Sequence, residues 1–150
     1  MLDAILAWIH YIFIFVLVGT LFAEFFFYQR TLRVAALQRL QRVDLLYGII
    51  AACVVASGIA RVMYSPKTPA FYLHDTIFWT KMALFVTLGL ISIAPTMHLI
   101  RLGRQAPADG AVQIPPQSYA TIRRLLTLEI VLLLFIPLCA TLMAHGYGYR

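Results

Sequence analysis

His10, Glu24, Lys81, His98 and Glu129 each interrupt a stretch of residues otherwise apolar enough to live in lipid, and His74 stands just ahead of one. An ionisable group in hydrocarbon is expensive, and membrane proteins keep such groups at ligand sites, ion paths and proton relays. Two chemistries are open to these residue types. An imidazole beside an amine, as at His10 and Lys81, can ligate haem iron or share one ligand. Carboxyls with an imidazole, as at Glu24, Glu129 and His98, can pass protons. Zinc chemistry is not indicated, because the chain contains no CxxC, HExxH or HxxxH spacing.

The elements that must position these groups are legible in bulk. The chain has 150 residues, 62% hydrophobic and 12% charged, with mean hydropathy +0.85. A soluble domain is about half apolar and about a quarter charged, so this is an integral membrane protein. Four stretches reach the roughly 20 residues a bilayer core requires: Leu2–Tyr28, Leu45–Tyr64, Thr76–Ile100 and Leu125–His145. Backbone in lipid must satisfy its own hydrogen bonds, and no alternating strands of about 10 residues occur, so the spans are helices. The expectation is an all-α, single-domain, four-helix antiparallel bundle over residues 1–150. The first run lacks a basic leader and is too long for a removable signal peptide.

Charge distribution orients the bundle. Arg30, Arg33, Arg39 and Arg42 lie between spans one and two, and Arg101, Arg104, Arg123 and Arg124 between spans three and four. By the positive-inside rule both connections are cytoplasmic and both termini face outward. Topology accounts for the arginines, so no nucleic-acid partner is indicated. Cys53 and Cys139 sit at different depths and pack as free thiols. Small residues in "AACVVASGIA", with Gly19 and Ala23 in span one, offer faces for close helix contact or a second copy.

Local signals refine the connections. "RTLRVAALQRLQRVD" carries Leu32, Ala36, Leu40 and Val43 at helical spacing, which predicts an extension of helix one or a basic helix on the membrane surface. Asp44 and Ser118 are candidate caps for helices two and four. "GRQAPADGAVQIPPQ" reads as a mobile linker, Pro95 and Pro137 as kinks, and the outer loop as stiffened by Pro66 and Pro69. Tyr64, Phe71, Tyr72, Phe78, Trp79, Trp8 and Tyr147 form an outer aromatic belt.

Position converts to depth at about 1.5 Å per residue. His10 then lies roughly 12 Å, and Lys81 roughly 8–10 Å, from the outer ends of their helices, in one layer. Arg61, His74, Asp75 and His145 lie just above it, while Glu24, His98 and Glu129 lie near the opposite side. His10, Leu17 and Glu24 recur every seven residues, as do His74 and Lys81, so each set shares one stripe, expected to face the bundle interior.

"AILAWIHYIFIFVLVGTLFAEF", "DLLYGIIAACVVASGIARVMY" and "FYLHDTIFWTKMALFVTLGLISIAPT" closely resemble a bacterial family of small four-helix membrane proteins, domain of unknown function 2214, over nearly the whole chain. More distantly the layout is similar to HemJ-type protoporphyrinogen oxidases and CopD-like proteins, with a histidine early in helix one and a lysine starting a later helix. That resemblance implies haem b, with His10 as axial ligand and Lys81 as the opposite ligand or a propionate partner. It also implies the bacterial inner membrane. HemJ-like proteins carry Tyr-His at the end of helix one, where this chain has Tyr28-Gln29, and another Tyr-His where it has Pro95-Thr96-Met97-His98. Protoporphyrinogen oxidation therefore loses its motif, and enzymatic turnover is left open.

Three functions remain. In the first, a haem-b protein with an electron-transfer or porphyrin-related redox role binds the group through His10, Lys81, Arg61 and His74. In the second, a small proton-coupled transporter or permeation protein, working as a homo-oligomer, uses Glu24, His98 and Glu129 as its relay. In the third, a non-catalytic accessory subunit sits in a larger membrane complex.

Overall fold

In the computed structural model, residues 1–64 and 72–148 are described. Pro66, Lys67, Pro69 and Phe71 of the outer loop lie outside them. The chain runs α1 (Leu2–Phe27), β1 (Thr31–Arg33), α2 (Val34–Tyr64), α3 (Thr76–Gln105), β2 (Ala111–Gln113) and α4 (Pro116–Ala144). All four helices are long and apolar enough to cross a membrane, which makes lipid bilayer the surroundings of the bundle. Large apolar side chains cover its outside, among them Phe15 at 72%, Leu90 at 65% and Leu134 at 65% exposure. In water such a surface would be untenable; against acyl chains it costs nothing.

The helices pair as two hairpins. α1 packs chiefly on α2 and α3 chiefly on α4, with much thinner contact from hairpin to hairpin. Both termini share one end of the bundle with the α2–α3 connection. The opposite end is closed by a two-stranded antiparallel ribbon, in which Thr31 pairs with Gln113, Leu32 with Val112 and Arg33 with Ala111.

The ribbon overturns three expectations. Helix one neither continues past the membrane nor passes to a surface helix, because Tyr28 turns extended (φ −74°, ψ 103°) and β1 follows. Residues 34–43 instead form the first turns of α2, with Leu37 and Leu40 buried and Arg39 and Arg42 exposed. The connection 103–117 is likewise no free linker: Ile114 is 2% exposed beside Leu32 at 3%, and the Ile114 amide donates to the Arg30 carbonyl at 2.9 Å. Gly110 makes the turn into β2 at φ 115°, a conformation that suits glycine, while its carbonyl accepts from the Val34 amide at 3.1 Å. The ends of α2, α3 and α4 therefore extend well past the apolar runs predicted for them.

The cap assignments shift with these boundaries. Asp44 lies mid-helix, and α4 starts at Pro116 with Pro115 as N-cap, ahead of Ser118. The true acidic cap is Asp75, whose Oδ1 accepts from the amides of Ile77 and Phe78 at 2.8 and 3.3 Å. α3 begins only at Thr76, so His74 stands in the preceding turn, exposed, and shares no helical stripe with Lys81. Both Pro95 and Pro137 are carried inside continuous helices. Gly19 faces open space, so it mediates no close helix contact within the chain. Gly58 lies beside His10 of α1, as described next.

Candidate functional site

Two polar layers occupy the bundle. The first lies toward the terminus-bearing end. α1 carries His10 to α2, where its Nδ1 meets Ser57 Oγ at 2.8 Å. Gly58 lies beside the ring, where a Cβ would stand 3.3 Å from His10 Cε1 and ask the imidazole for only a small shift. Ser57 has a single hydroxyl proton and gives it back to its own helix, at the Cys53 carbonyl 2.7 Å away and the Val54 carbonyl 3.1 Å away. Its oxygen is thus left to accept from His10. That pairing favours the tautomer with the proton on Nδ1.

Arg61, one helical turn beyond Ser57, lays its guanidinium against the Tyr11 ring, 5.7 Å from the centroid. Its Nε is enclosed without a hydrogen-bond partner among the described residues. Lys81 on α3 holds its amine 5.6 Å from the Phe78 centroid. Arg61 and Lys81 are both within electrostatic reach of His10 and of each other. The half-buried Lys81 is thus neither deep in the core nor fully extended to the surface.

The second layer lies deeper, toward the ribbon, and every helix contributes to it. Glu24 from α1 is 2% exposed, Asp44 and Tyr47 from α2 are 9% and 4%, and Glu129 from α4 is 1%. Thr96 of α3 donates to Asp44 Oδ1 at 2.7 Å. Tyr47 donates its hydroxyl to Glu129 Oε2 at 3.2 Å, whereas Glu129 Oε1 is enclosed with no partner. The Glu24 carboxyl is within electrostatic reach of both Asp44 and Glu129. Arg123, the nearest basic candidate in sequence, is committed elsewhere: it donates to the Phe25 carbonyl and stacks over the Phe25 ring at 3.6 Å. Carboxyls gathered within a membrane are of the kind that can bind and pass on protons.

Among the sequence-predicted relay residues, Glu24 and Glu129 meet and His98 does not join them. His98 Nε2 instead pairs with the Tyr28 hydroxyl at 3.0 Å. Tyr28 stacks on Tyr119, with centroids 5.4 Å apart and planes 8° from parallel. Burial, chiefly, and Tyr119 beside it hold the Tyr28 phenol above its usual range, so it keeps its proton to donate. Asp44, Tyr47, Thr96 and Ser57 were not singled out as site residues from sequence. Their signal was there: Leu37, Leu40, Asp44, Tyr47, Val54 and Ser57 follow one buried stripe of α2, with polar residues in core positions.

For a cofactor, His10 suits an axial ligand in that Ser57 anchors its Nδ1 at 2.8 Å, the means by which ligating histidines are oriented. Among the described residues, no group of three or more His, Cys, Asp or Glu side chains is placed to hold one metal ion.

No curated protein and no solved structure matches the chain, so the distant likeness to HemJ-type and CopD-like proteins finds no support there. The family assignment is direct, because a sequence profile matches residues 2–148. The chain belongs to the family described as Predicted membrane protein (DUF2214).

Proposed function

We propose that the protein exchanges protons through the bilayer as a small proton-coupled carrier, with Glu24, Glu129 and Asp44 as its proton-binding group. One observation carries this reading: Glu129, almost wholly buried, leaves Oε1 without a partner beside two further buried carboxyls. A structural role would favour a saturated network, because an unsatisfied buried oxygen costs about 1–3 kcal/mol. Tyr47 and Thr96 hold two of the carboxyls in place, and Glu24 supplies the third site. With the arginine-rich ribbon end cytoplasmic, the group lies on the inner side. The test is proton flux into liposomes containing the purified protein and a pH-sensitive dye, driven by an imposed potential. Flux should vanish in Glu129→Gln and Glu24→Gln; wild-type flux in both variants would refute the assignment.

A second reading rests on His10. An imidazole anchored through Nδ1 suits haem b as axial ligand, and Arg61 and Lys81 would supply charges for its propionates. Bound haem would supply one-electron redox chemistry, while the chain's own part is to fix the imidazole through Ser57 and to neutralise the carboxylates. Protein purified from haem-sufficient cells should then show a Soret band; no band, even after haem addition, would remove this reading.

A further inference from the structure

The ribbon end holds a groove of about 300 Å³ that neither polar layer uses, between the start of α2 and the end of α3. Leu37 and Ile100 line it with hydrocarbon, and Gln38, Gln41 and Arg104 line it with polar groups. Gln41 crosses over Gly103, where a Cβ would overlap its amide, and donates Nε2 to the Leu99 carbonyl at 2.8 Å. The two helices that form the groove are thus hydrogen-bonded to each other beside it. Their apolar runs stop at Leu45 on α2 and Ile100 on α3. Gln41 and Gln38 then lie about 6 and 10 Å beyond the first limit, and Arg104 about 6 Å beyond the second. A headgroup layer is about 5–8 Å thick on each side of the hydrocarbon, so the groove sits at headgroup level. Charge at this level is one-sided. Arg39 and Arg42 on α2, and Arg101 and Arg104 on α3, are exposed neighbours one turn apart. Of the chain's 6 acidic residues, Glu24, Asp44 and Glu129 are buried in the core and Asp75 at the other end. Asp3 lies in the first turn of α1, which leaves Asp109 at the ribbon end, exposed in the turn before β2. We infer that this groove binds the headgroup of an anionic phospholipid, with Arg104 on the phosphate.

The lining suits that ligand in both its parts. Guanidinium holds phosphate oxygens through paired, charge-assisted donors, and the Gln38 amide supplies a further donor. Leu37 and Ile100 offer apolar surface to the glycerol and the first acyl carbons, a surface that a free phosphate would leave bare. The flanking arginines favour an anionic over a zwitterionic headgroup, since basic residues at a membrane surface gather acidic lipids. A lipid seated there would also bridge α2 and α3, which belong to different hairpins with thin contact between them. The inference stands apart from the proton-coupled reading: Glu129→Gln should abolish proton flux and leave lipid binding intact.

The test is native mass spectrometry of the full-length protein in nonionic detergent, titrated with phosphatidylglycerol, with phosphatidylcholine and with inorganic phosphate. Phosphatidylglycerol should be retained as a saturable one-to-one adduct in preference to the other two. Arg104→Gln should weaken that retention by roughly ten- to hundredfold, the loss expected for one hydrogen bond to a charged group. Gly103→Leu keeps every charge but fills the groove, and should lower retention as well. Arg124→Gln removes an exposed arginine of α4 outside the groove and should leave retention unchanged. Circular dichroism would confirm that the variants stay helical; if Gly103→Leu misfolds, the contrast between Arg104→Gln and Arg124→Gln still decides. Equal retention of phosphatidylcholine, binding of phosphate in the lipid's place, or a loss in Arg124→Gln as large as in Arg104→Gln overturns the inference. So does phosphatidylglycerol retention that Arg104→Gln leaves unchanged.

Discussion

Tyr47 on α2 donates its hydroxyl to Glu129 Oε2 on α4 at 3.2 Å, a side-chain bond that joins one hairpin to the other through the middle of the core. Removing it strands a second buried oxygen on the same carboxyl. Tyr47→Phe should therefore destabilise the protein by about 1–3 kcal/mol, read as a lowered unfolding midpoint in detergent, and should alter the pH at which proton flux is half-maximal. A midpoint and a flux profile both unchanged would mean that the bond contributes nothing.

Substituting the carboxyls themselves separates the two layers. Glu24→Gln and Glu129→Gln keep volume and hydrogen-bonding capacity, so helicity and elution volume should be preserved while flux is lost. Any haem spectrum belonging to His10 should persist in both variants, because that residue lies in the other layer.

The four spans were readable in the sequence because their signal is mere length of apolar run, which lipid enforces directly. The ribbon was not. Its strands have three residues each, too short to show alternation, and Thr31 finds Gln113 only once the helices have brought them together. The same limit hid Asp44. Read locally it looks like a cap before an apolar run; its role as a core residue appears only when α2 is extended backward to Val34 and the stripe Leu37–Leu40–Asp44–Tyr47 comes into line. His10 and Glu24 were recoverable because both lie in a single unbroken helix, where spacing alone fixes the face. His74 and Lys81 were not in one helix, so their spacing of seven carried no information.

The His10 tautomer offers a spectroscopic check. Nitrogen-15 NMR of labelled protein should show the proton on Nδ1, and Ser57→Ala should shift the population toward Nε2–H by removing the acceptor. Gly58→Val, whose added methyls would collide with the imidazole, should displace His10 altogether; a methyl at Gly58 alone meets Cε1 at 3.3 Å and requires only a small adjustment.

At the terminus-bearing end, Gly148 lies over Asp75 and Ile77. A Cβ there would stand 2.6 Å from Asp75 Oδ1, at a backbone φ of +98° that L side chains rarely adopt. Gly148→Ala should undock the C-terminal turn and break the bond from the Thr76 amide to the Gly148 carbonyl, 3.0 Å in the native chain. Hydrogen exchange at Thr76 should accelerate while the amides of α2 keep their protection.

Leu32, 3% exposed, anchors the ribbon. Leu32→Ala should cost about 2–5 kcal/mol, the range for truncating a buried leucine, and limited proteolysis should open the chain near residues 106–110 first.

The ribbon also bears on biogenesis. A ribosome delivers α1, β1 and α2 to the membrane long before β2 exists, and the close pairing of α1 with α2 lets that hairpin insert as a unit. β1 then waits with an unsatisfied edge, a ready template for any complementary strand. Its partner arrives only with the last third of the chain. Two nascent copies held side by side at the membrane surface could each take the other's β2, so crowded overexpression favours swapped pairs at this join.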